Sequence, residues 1–224
     1  MSTEYAPGLD DVVFDTRGWQ LAESDREHRL WLTQNHVAVQ LYYNARPPRY
    51  GFDDEHVEMA RAVFADSAER GSGALLSVAR LSTPGTHGIT GVFKYPSPVQ
   101  GDLGTYYLGN ITLLFRDFWF QIVVDSVERG TTGLREAWVE ATHPAPPYRE
   151  EDVIRCASMD EMFEHMAARR AKAHAGPSDD EAYDAQFPDH PLTKVRGLLR
   201  HIAGSLTLTD RLAREPRYVV DPPY

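Results

Sequence analysis

Cysteine is almost absent from this chain, since Cys156 is the only one among 224 residues. A single cysteine excludes an intramolecular disulfide and any zinc site built from several cysteines. A folded chain of this length buries roughly 70% of the surface that its unfolded form exposes, so the core needs no such support. Buried structural cysteines are commoner than catalytic ones, and we therefore expect a structural role for Cys156.

Long hydrophobic runs are also missing. No run approaches the roughly 20 residues that a membrane helix needs, and the longest candidate, 111–124, is interrupted by Arg116 and Asp117. The first residues, MSTEYAPGLDD, contain neither the basic nor the apolar region of an export signal. The sequence therefore predicts a cytoplasmic protein with no membrane partner.

Positive charge is scarce, with 23 Lys and Arg against 33 Asp and Glu and a net charge of −10. Nucleic-acid binding depends on clustered basic residues, so this balance argues against a nucleic-acid partner. The balance reverses after residue 190, where six basic residues meet three acidic ones. This pattern predicts a basic C-terminal helix on an acidic body.

Recognisable catalytic motifs are absent: there is no nucleophile elbow, P-loop, H-E-x-x-H helix or dinucleotide fingerprint. We therefore expect neither a cofactor nor a standard catalytic constellation. Glu161 and His165, with Asp184, Asp189 and His190, could bind a hard or borderline cation. We favour a simpler interpretation, in which Asp189 or His190 caps a following helix, and predict no metal.

Alternating hydrophobicity predicts strands along the first two thirds of the chain. The predicted strands are 19–21, 28–33, 36–43, 74–81, 89–95, 105–115 and 118–128. Residues 118–127 are apolar on both alternating faces, a pattern typical of a sheet that is covered on both sides.

Helical periodicity predicts a helix from about Asp53 to Arg70, with Gly71 in the left-handed position after it. Leu134–Glu140 forms a short helix or an extended segment. Pro191 begins a helix with a continuous apolar stripe. The stripe is Leu192, Val195, Leu199, Ile202 and Leu206. The predicted fold is α+β, with an antiparallel sheet of about six to seven strands sandwiched by helices. We expect one domain over residues 1–224, in which 143–190 is a proline-rich connector and helical insertion.

Two segments resemble motifs of an uncharacterised family of bacterial cytosolic proteins: ERGTTGLREA at 128–137 and FPDHPLTKVR at 187–196. The order of the elements is similar to that of the PsbP-like superfamily, which includes a photosystem II extrinsic subunit and a yeast Ran-binding import factor. The second resemblance implies an α/β/α sandwich and a non-catalytic binding domain.

These two segments also supply the candidate binding site. The Gly-Thr-Thr-Gly turn offers backbone N–H groups beside the Arg135 fork, which together could bind an anion or a carboxylate. Two prolines stiffen the 187–191 loop. The candidate residues are Glu128, Thr131, Thr132, Arg135, Glu136, Asp184, Asp189 and His190. In the alternative interpretation, Glu128, Arg129, Arg135 and Glu136 pair among themselves and pin the turn against the sheet edge, and the turn and the loop only clamp the C-terminal helix to the sheet.

The favoured function is a non-catalytic binding protein, such as an adaptor or an immunity-type protein that masks a protein partner. One alternative is an enzyme or small-ligand binder that uses the 130–136 turn and the 184–190 loop. Another is a structural subunit of a larger assembly. A deep pocket that joins the two segments would favour a small ligand, and a broad exposed apolar patch on a sheet face would favour a protein partner.

Overall fold

The computed structural model describes residues 6–35, 37–81, 83, 85–99, 104–130, 132–143, 158–162 and 172–220. The strands in these ranges are β1 (Val12–Val13), β2 (Gln20–Ser24), β3 (His28–Leu32), β4 (Ala38–Asn44), β5 (Ala74–Arg80), β6 (Ile89–Pro96), β7 (Thr105–Leu114), β8 (Trp119–Val127) and β9 (Thr207–Leu208). The helices are α1 (Val57–Arg70), α2 (Leu134–Thr142) and α3 (Pro191–Ser205). Residues 159–162 form a further helical turn.

Seven strands form one antiparallel sheet in the order β2-β3-β4-β8-β7-β6-β5, and β1 pairs with β9 in a separate ribbon. The centre of the sheet is the long β7–β8 hairpin, in which Ile111 lies opposite Ile122 and Leu113 opposite Phe120. All four side chains are fully buried. The predicted α+β class and the predicted strands 74–81 to 118–128 are confirmed, with bounds that differ by at most one residue.

The helix α3 packs across β7 and β8 on one face of the sheet. Its predicted apolar stripe is confirmed, because all five stripe residues are buried. Close approach depends on Gly109 in β7: a Cβ there would lie 2.5 Å from Leu199 Cδ1 and 2.8 Å from Val195 Cγ1. The absence of this side chain therefore lets the helix lie directly on the sheet.

The helix α1 covers β5 and β6 on the opposite face, where Phe64 meets Phe93 edge to face. The predicted sandwich is therefore confirmed. The helix starts at Val57 rather than at Asp53, because Asp53 is buried and accepts hydrogen bonds from the N–H groups of Glu55 and His56. These bonds hold a separate turn before the helix.

The end of α1 also differs from the prediction. Gly71 has φ −86° and stays outside the left-handed region, whereas Ser72 takes φ 60°. The N–H of Gly73 then closes the turn on the carbonyl of Ala68 at 2.8 Å. The left-handed residue is one position later than the glycine spacing suggested.

The second face of β8 is less covered than its apolar pattern predicted. Phe120, Ile122 and Val124 on the α3 face are fully buried, but Trp119 and Val123 on the α1 face are half-buried. Most of α1 lies over β5 and β6, which form one edge of the sheet, and the helix does not extend far enough to cover β8 fully.

Both edge strands of the large sheet are irregular. β2 has a register shift between Leu21 and Glu23, and β5 has one between Leu75 and Ser77. Such bulges interrupt the row of hydrogen-bonding groups that an edge strand presents.

Much of the predicted 143–190 insertion, including Cys156, lies outside the described residues. Within it, the Ser158 hydroxyl accepts a hydrogen bond from the N–H of Glu161 at 3.1 Å, as an N-cap residue does. The single-domain organisation stays a prediction. None of the described helices has the length and apolar content that crossing a bilayer requires.

Candidate functional site

The turn between β8 and α2 is held by the buried Glu128. Its Oε2 accepts a hydrogen bond from the N–H of Thr105 at 3.1 Å, and its Oε1 accepts one from the N–H of Gly133 at 3.3 Å. Gly130 and Gly133 have φ 77° and 73°, which glycine adopts without strain. One N–H group that could have faced an anion is therefore used inside the turn. Thr132 is half-buried, and Thr131 lies outside the described residues.

Arg135 is fully buried and binds four groups of the segment 178–193. Its Nε donates to the carbonyl oxygen of Ser178 at 2.6 Å, and Nη1 donates to Thr193 Oγ1 at 3.0 Å. Its Nη2 donates to the carbonyl oxygen of Asp180 at 2.7 Å and to Asp184 Oδ1 at 2.9 Å. Four of the five guanidinium N–H donors are thereby used. These contacts fit the clamp interpretation.

The partners of Arg135 differ from those that its sequence neighbours suggested. We expected pairing among Glu128, Arg129, Arg135 and Glu136, but within the described chain the guanidinium pairs with Asp184. Arg196 of α3 shares this carboxylate through Nη1 at 3.0 Å, and its Nη2 donates to the carbonyl oxygen of Asp179 at 2.6 Å. We call this group the Asp184 cluster: Arg135, Asp184, Thr193 and Arg196. It ties α2 to α3.

Glu136 points away from the Asp184 cluster and toward Lys94 of β6. The ammonium of Lys94 lies 3.4 Å from Glu136 Oε1 and 3.1 Å from Asp179 Oδ1. It also lies over the ring of Tyr107, which is fully buried. Burial, reinforced by the carboxylates of Glu136 and Asp179, raises the pKa of Tyr107 well above its usual range.

Sequence reasoning missed Lys94, Tyr107 and Asp179. A signal existed for Lys94, because strand alternation places it on the same face as the buried Val92. A charged residue at a core-facing strand position needs a buried partner.

His190 caps α3, as predicted for Asp189 or His190. Its Nδ1 accepts a hydrogen bond from the N–H of Leu192 at 3.2 Å. The neutral ring then carries its proton on Nε2, which lies 3.4 Å from Glu128 Oε1. Both side chains are more than nine-tenths buried. Asp189, in contrast, is 96% exposed.

Glu128, Glu136 and His190 form the only candidate ligand set for a metal ion among the described residues, with their ligand atoms within 4.8 Å of one another. Two features disfavour a cation here. A metal on Nε2 would displace its proton to Nδ1 and break the helix cap, and Lys94 already places an ammonium beside Glu136. The absence of a metal stays a prediction, and about one bound equivalent in elemental analysis of protein purified without added metal would contradict it.

A cavity of about 730 Å³ joins the two predicted segments. Its walls include Glu128, Arg129 and Leu134 from the turn, and Phe187 and His190 from the loop. The structure therefore brings the two segments together, as the small-ligand alternative required.

A second cavity, of about 470 Å³, continues along α3 toward Trp19. Asn35, Pro188 and Lys194 line both cavities. We call the two together the long groove. It runs between the β3–β4 turn on one side and the loop and α3 on the other.

Apolar side chains are exposed beside the long groove. Leu32 and Leu134 line it and are 36% and 59% exposed. Trp138, one turn along α2 from Leu134, is 38% exposed and meets Phe187 edge to face at 5.6 Å between ring centroids. We call Leu134, Trp138 and Phe187 the Trp138 patch.

No family model and no curated protein matches the chain. The structure is similar to the crystal structure of the Saccharomyces cerevisiae Ran-binding protein Mog1p, with 10% sequence identity over 91% of this chain and 93% of that chain, and a TM-score of 0.43. A similarity of this size bears neither on the function nor on the site of the chain. Both family resemblances of the sequence stay predictions.

Proposed function

We propose that this chain is a non-catalytic binding protein, and that a protein partner lies in the long groove with an extended segment. The observation that carries the proposal is the groove itself, which joins the two predicted segments and continues along α3. Sites for small ligands usually hold about 300–1,000 Å³ in one pocket, whereas here two cavities, of about 730 and 470 Å³, share lining residues and together follow α3. Such a shape suits an extended chain better than a compact molecule.

The groups that could perform acid–base chemistry beside the groove support a binding role. Each oxygen of Glu128 accepts a backbone N–H group, and the Nδ1 of His190 is used to cap α3. A general base needs an available lone pair within reach of the substrate. The acceptor nitrogen of neutral His190 is occupied by the helix cap, and Glu128 is held in place by two backbone N–H groups and the facing His190 ring.

The Trp138 patch supports a protein partner. Exposed aromatic side chains next to a pocket are enriched at protein–protein interfaces and supply much of their binding energy. An adaptor or an immunity-type protein of the bacterial cytosol, masking a partner, would use a surface of this kind. The net charge of −10 suits a partner that is basic overall.

A small organic ligand is the second candidate function. The cavity of about 730 Å³ favours it, because that volume alone lies within the range of small-ligand sites. A compact molecule would fill this cavity and leave the part beside Trp19 empty.

Partner capture with matched surface variants tests the proposal. The wild-type chain and the variants Leu134→Asp and Leu21→Asp would be used to purify partners from the native cell extract. Leu21 is 52% exposed on β2 and lines neither cavity, so it controls for a charge placed on exposed leucine. We expect one stoichiometric protein that the wild type and Leu21→Asp bind and Leu134→Asp does not, with the complex reconstituted from purified components.

Two outcomes contradict the proposal. Equal capture by all three proteins would show that the long groove is not the binding surface. A small molecule that native mass spectrometry finds on the wild type and Leu21→Asp but not on Leu134→Asp, with no protein captured, would establish the second candidate instead.

A further inference from the structure

The cations that line the long groove differ in whether a carboxylate already binds them. Arg17 pairs with Asp15 at 2.7 Å, Arg135 pairs within the Asp184 cluster, and Arg200 pairs with Glu181. Arg129 is exposed and makes no hydrogen bond or ion pair with any residue that the structure describes. It is therefore available to a ligand.

Lys194 is the second available cation, and it lies where the two cavities of the groove meet. Its ammonium is 3.7 Å from Asp189 Oδ1, and the side chain of Asp189 is 96% exposed. An ion pair at such a distance, with one member in water, is worth little and yields readily to a competing carboxylate.

Three carboxylates also line the groove: Asp189, which is the exposed partner of Lys194, and the more buried Glu128 and Asp125. Glu128 is satisfied by two backbone N–H groups and faces His190. Asp125 accepts a hydrogen bond from Gln40 Nε2 at 3.1 Å, and burial raises its pKa, which disfavours its charged form. Arg129 is thus a wall charge that no described carboxylate neutralises, on a chain that is negative overall.

Apolar wall residues lie on both sides of the Lys194 position. Leu32, Leu134 and Phe187 line the first cavity, and Trp19, Val37 and Leu198 line the second. An extended chain that passes Lys194 therefore meets an apolar wall, then a cation, then a second apolar wall.

We propose that the partner presents an extended segment with a carboxylate side chain at its centre and apolar side chains before and after it. The carboxylate binds Lys194 and Arg129, and the apolar side chains enter the two cavities. This inference rests on the proposed function and specifies the chemistry of its partner segment.

Synthetic peptides test this directly by fluorescence anisotropy. One short labelled peptide carries two aspartates flanked by leucines, a second has lysine in place of each aspartate, and a third has serine in place of each leucine. The protein variants are the double reversal Arg129→Glu with Lys194→Glu, and the matched double reversal Arg46→Glu with Arg49→Glu. Arg46 and Arg49 are exposed and line neither cavity.

We expect the wild type and the Arg46/Arg49 control to bind the aspartate peptide equally, and the Arg129/Lys194 reversal to bind it about tenfold more weakly. Both substituted peptides should bind the wild type more weakly than the aspartate peptide. Added salt should reduce the preference for aspartate over lysine.

Equal binding of the aspartate and lysine peptides, equal binding by both double variants, or no binding of the aspartate peptide up to about 1 mM would each overturn the inference. These outcomes are distinct from failure of the proposed function. If partner capture depends on Leu134 but not on Arg129 and Lys194, the groove is the binding site and only the acidic character of the segment is wrong.

Discussion

Two buried aspartates, Asp184 and Asp54, hold distant parts of the chain together in different ways. Both are less than a tenth exposed. The cations of the Asp184 cluster are buried as well, with side-chain exposures of 1% for Arg135 and 11% for Arg196. Asp54 instead meets Arg80 at 3.2 Å and Arg217 at 4.0 Å, and these side chains are 46% and 43% exposed.

The difference shows what each cluster contributes. Around Asp184 both signs of charge have left water, so the loss of one partner leaves the other uncompensated in the interior. Around Asp54 water solvates the guanidinium groups and screens the attraction. The first cluster fixes the wall of the long groove. The second fastens the C-terminal segment, since the neighbouring Asp53 accepts a hydrogen bond from the N–H of Val220 at 3.0 Å.

Removing the buried guanidinium should have the largest effect. We expect Arg135→Ala to lower the free energy of unfolding by about 3–5 kcal/mol, because Asp184 then loses its main buried partner. Chemical denaturation measures the loss. Arg135→Lys keeps the charge but not the planar fork, and its free energy of unfolding should lie between those of the wild type and Arg135→Ala. A loss below about 1 kcal/mol for Arg135→Ala would show that the clamp interpretation is wrong.

An apolar contact between α3 and the sheet gives the next expected effect. Leu199 is buried against Gly109, and we expect Leu199→Ala to cost about 2–5 kcal/mol through lost burial and a cavity. Chemical denaturation compares it with Arg135→Ala. If its cost were under about 1 kcal/mol, α3 would be held by the Asp184 cluster alone.

Glu128 should give a smaller, pH-dependent effect. Burial opposes its ionisation, but His190 and the N–H groups of Gly133 and Thr105 outweigh burial and lower its pKa below the ordinary value of 4.5. A carboxyl whose pKa is lowered by folding adds stability above its unfolded pKa and loses it as the pH falls through its folded pKa.

We therefore expect Glu128→Gln to lower the free energy of unfolding by about 1–3 kcal/mol at neutral pH. The difference in stability between this variant and the wild type should become smaller as the pH falls below 4.5. Thermal unfolding between neutral and acidic pH measures both. A difference that stays constant over the whole range would mean that Glu128 does not couple folding to protonation.

The exposed partner of Asp54 should give the smallest effect. We expect Arg217→Ala to cost about 0.2–1 kcal/mol, within the usual range for a solvent-accessible ion pair. Its cost should shrink in high salt, whereas that of Arg135→Ala should change little. If salt changed the loss of stability equally in the two variants, water would not screen the Asp54 ion pairs more than the Asp184 cluster.

Period-2 alternation located β5 to β8 to within one residue, because the alternation of side chains shows which residues of each strand face the core. The bounds of β2 and β4, predicted as 19–21 and 36–43, were less accurate. The apolar stripe of α3 was readable from its helical spacing, and its cap was predicted to be Asp189 or His190, of which the structure uses His190. The start of α1 was not readable, because Asp53 could cap a helix or bind a separate turn, and burial of its side chain decides between them.

The position of the candidate site was predictable from the sequence, but its hydrogen bonds and ion pairs were not. The glycine turn and the proline-stiffened loop do border one cavity. The contacts of Arg135 reach Ser178, 43 positions away, and Asp184, 49 positions away. Spacing within a segment says nothing about such partners, and local charges therefore suggested Glu128 and Glu136 instead.

The ribbon of β1 and β9 has a consequence for how this protein folds. Beside it, the Thr209 hydroxyl donates to Asp11 Oδ1 at 2.6 Å across 198 positions of the chain. Contacts between such distant residues form slowly, because the chain loses the entropy of closing a long loop before these contacts can stabilise it. A chain emerging from the ribosome can build the β5–β8 meander early, but it cannot complete the long groove before α3 has been made. The groove therefore forms only after a helix that follows all seven strands of the large sheet in the chain has packed on them.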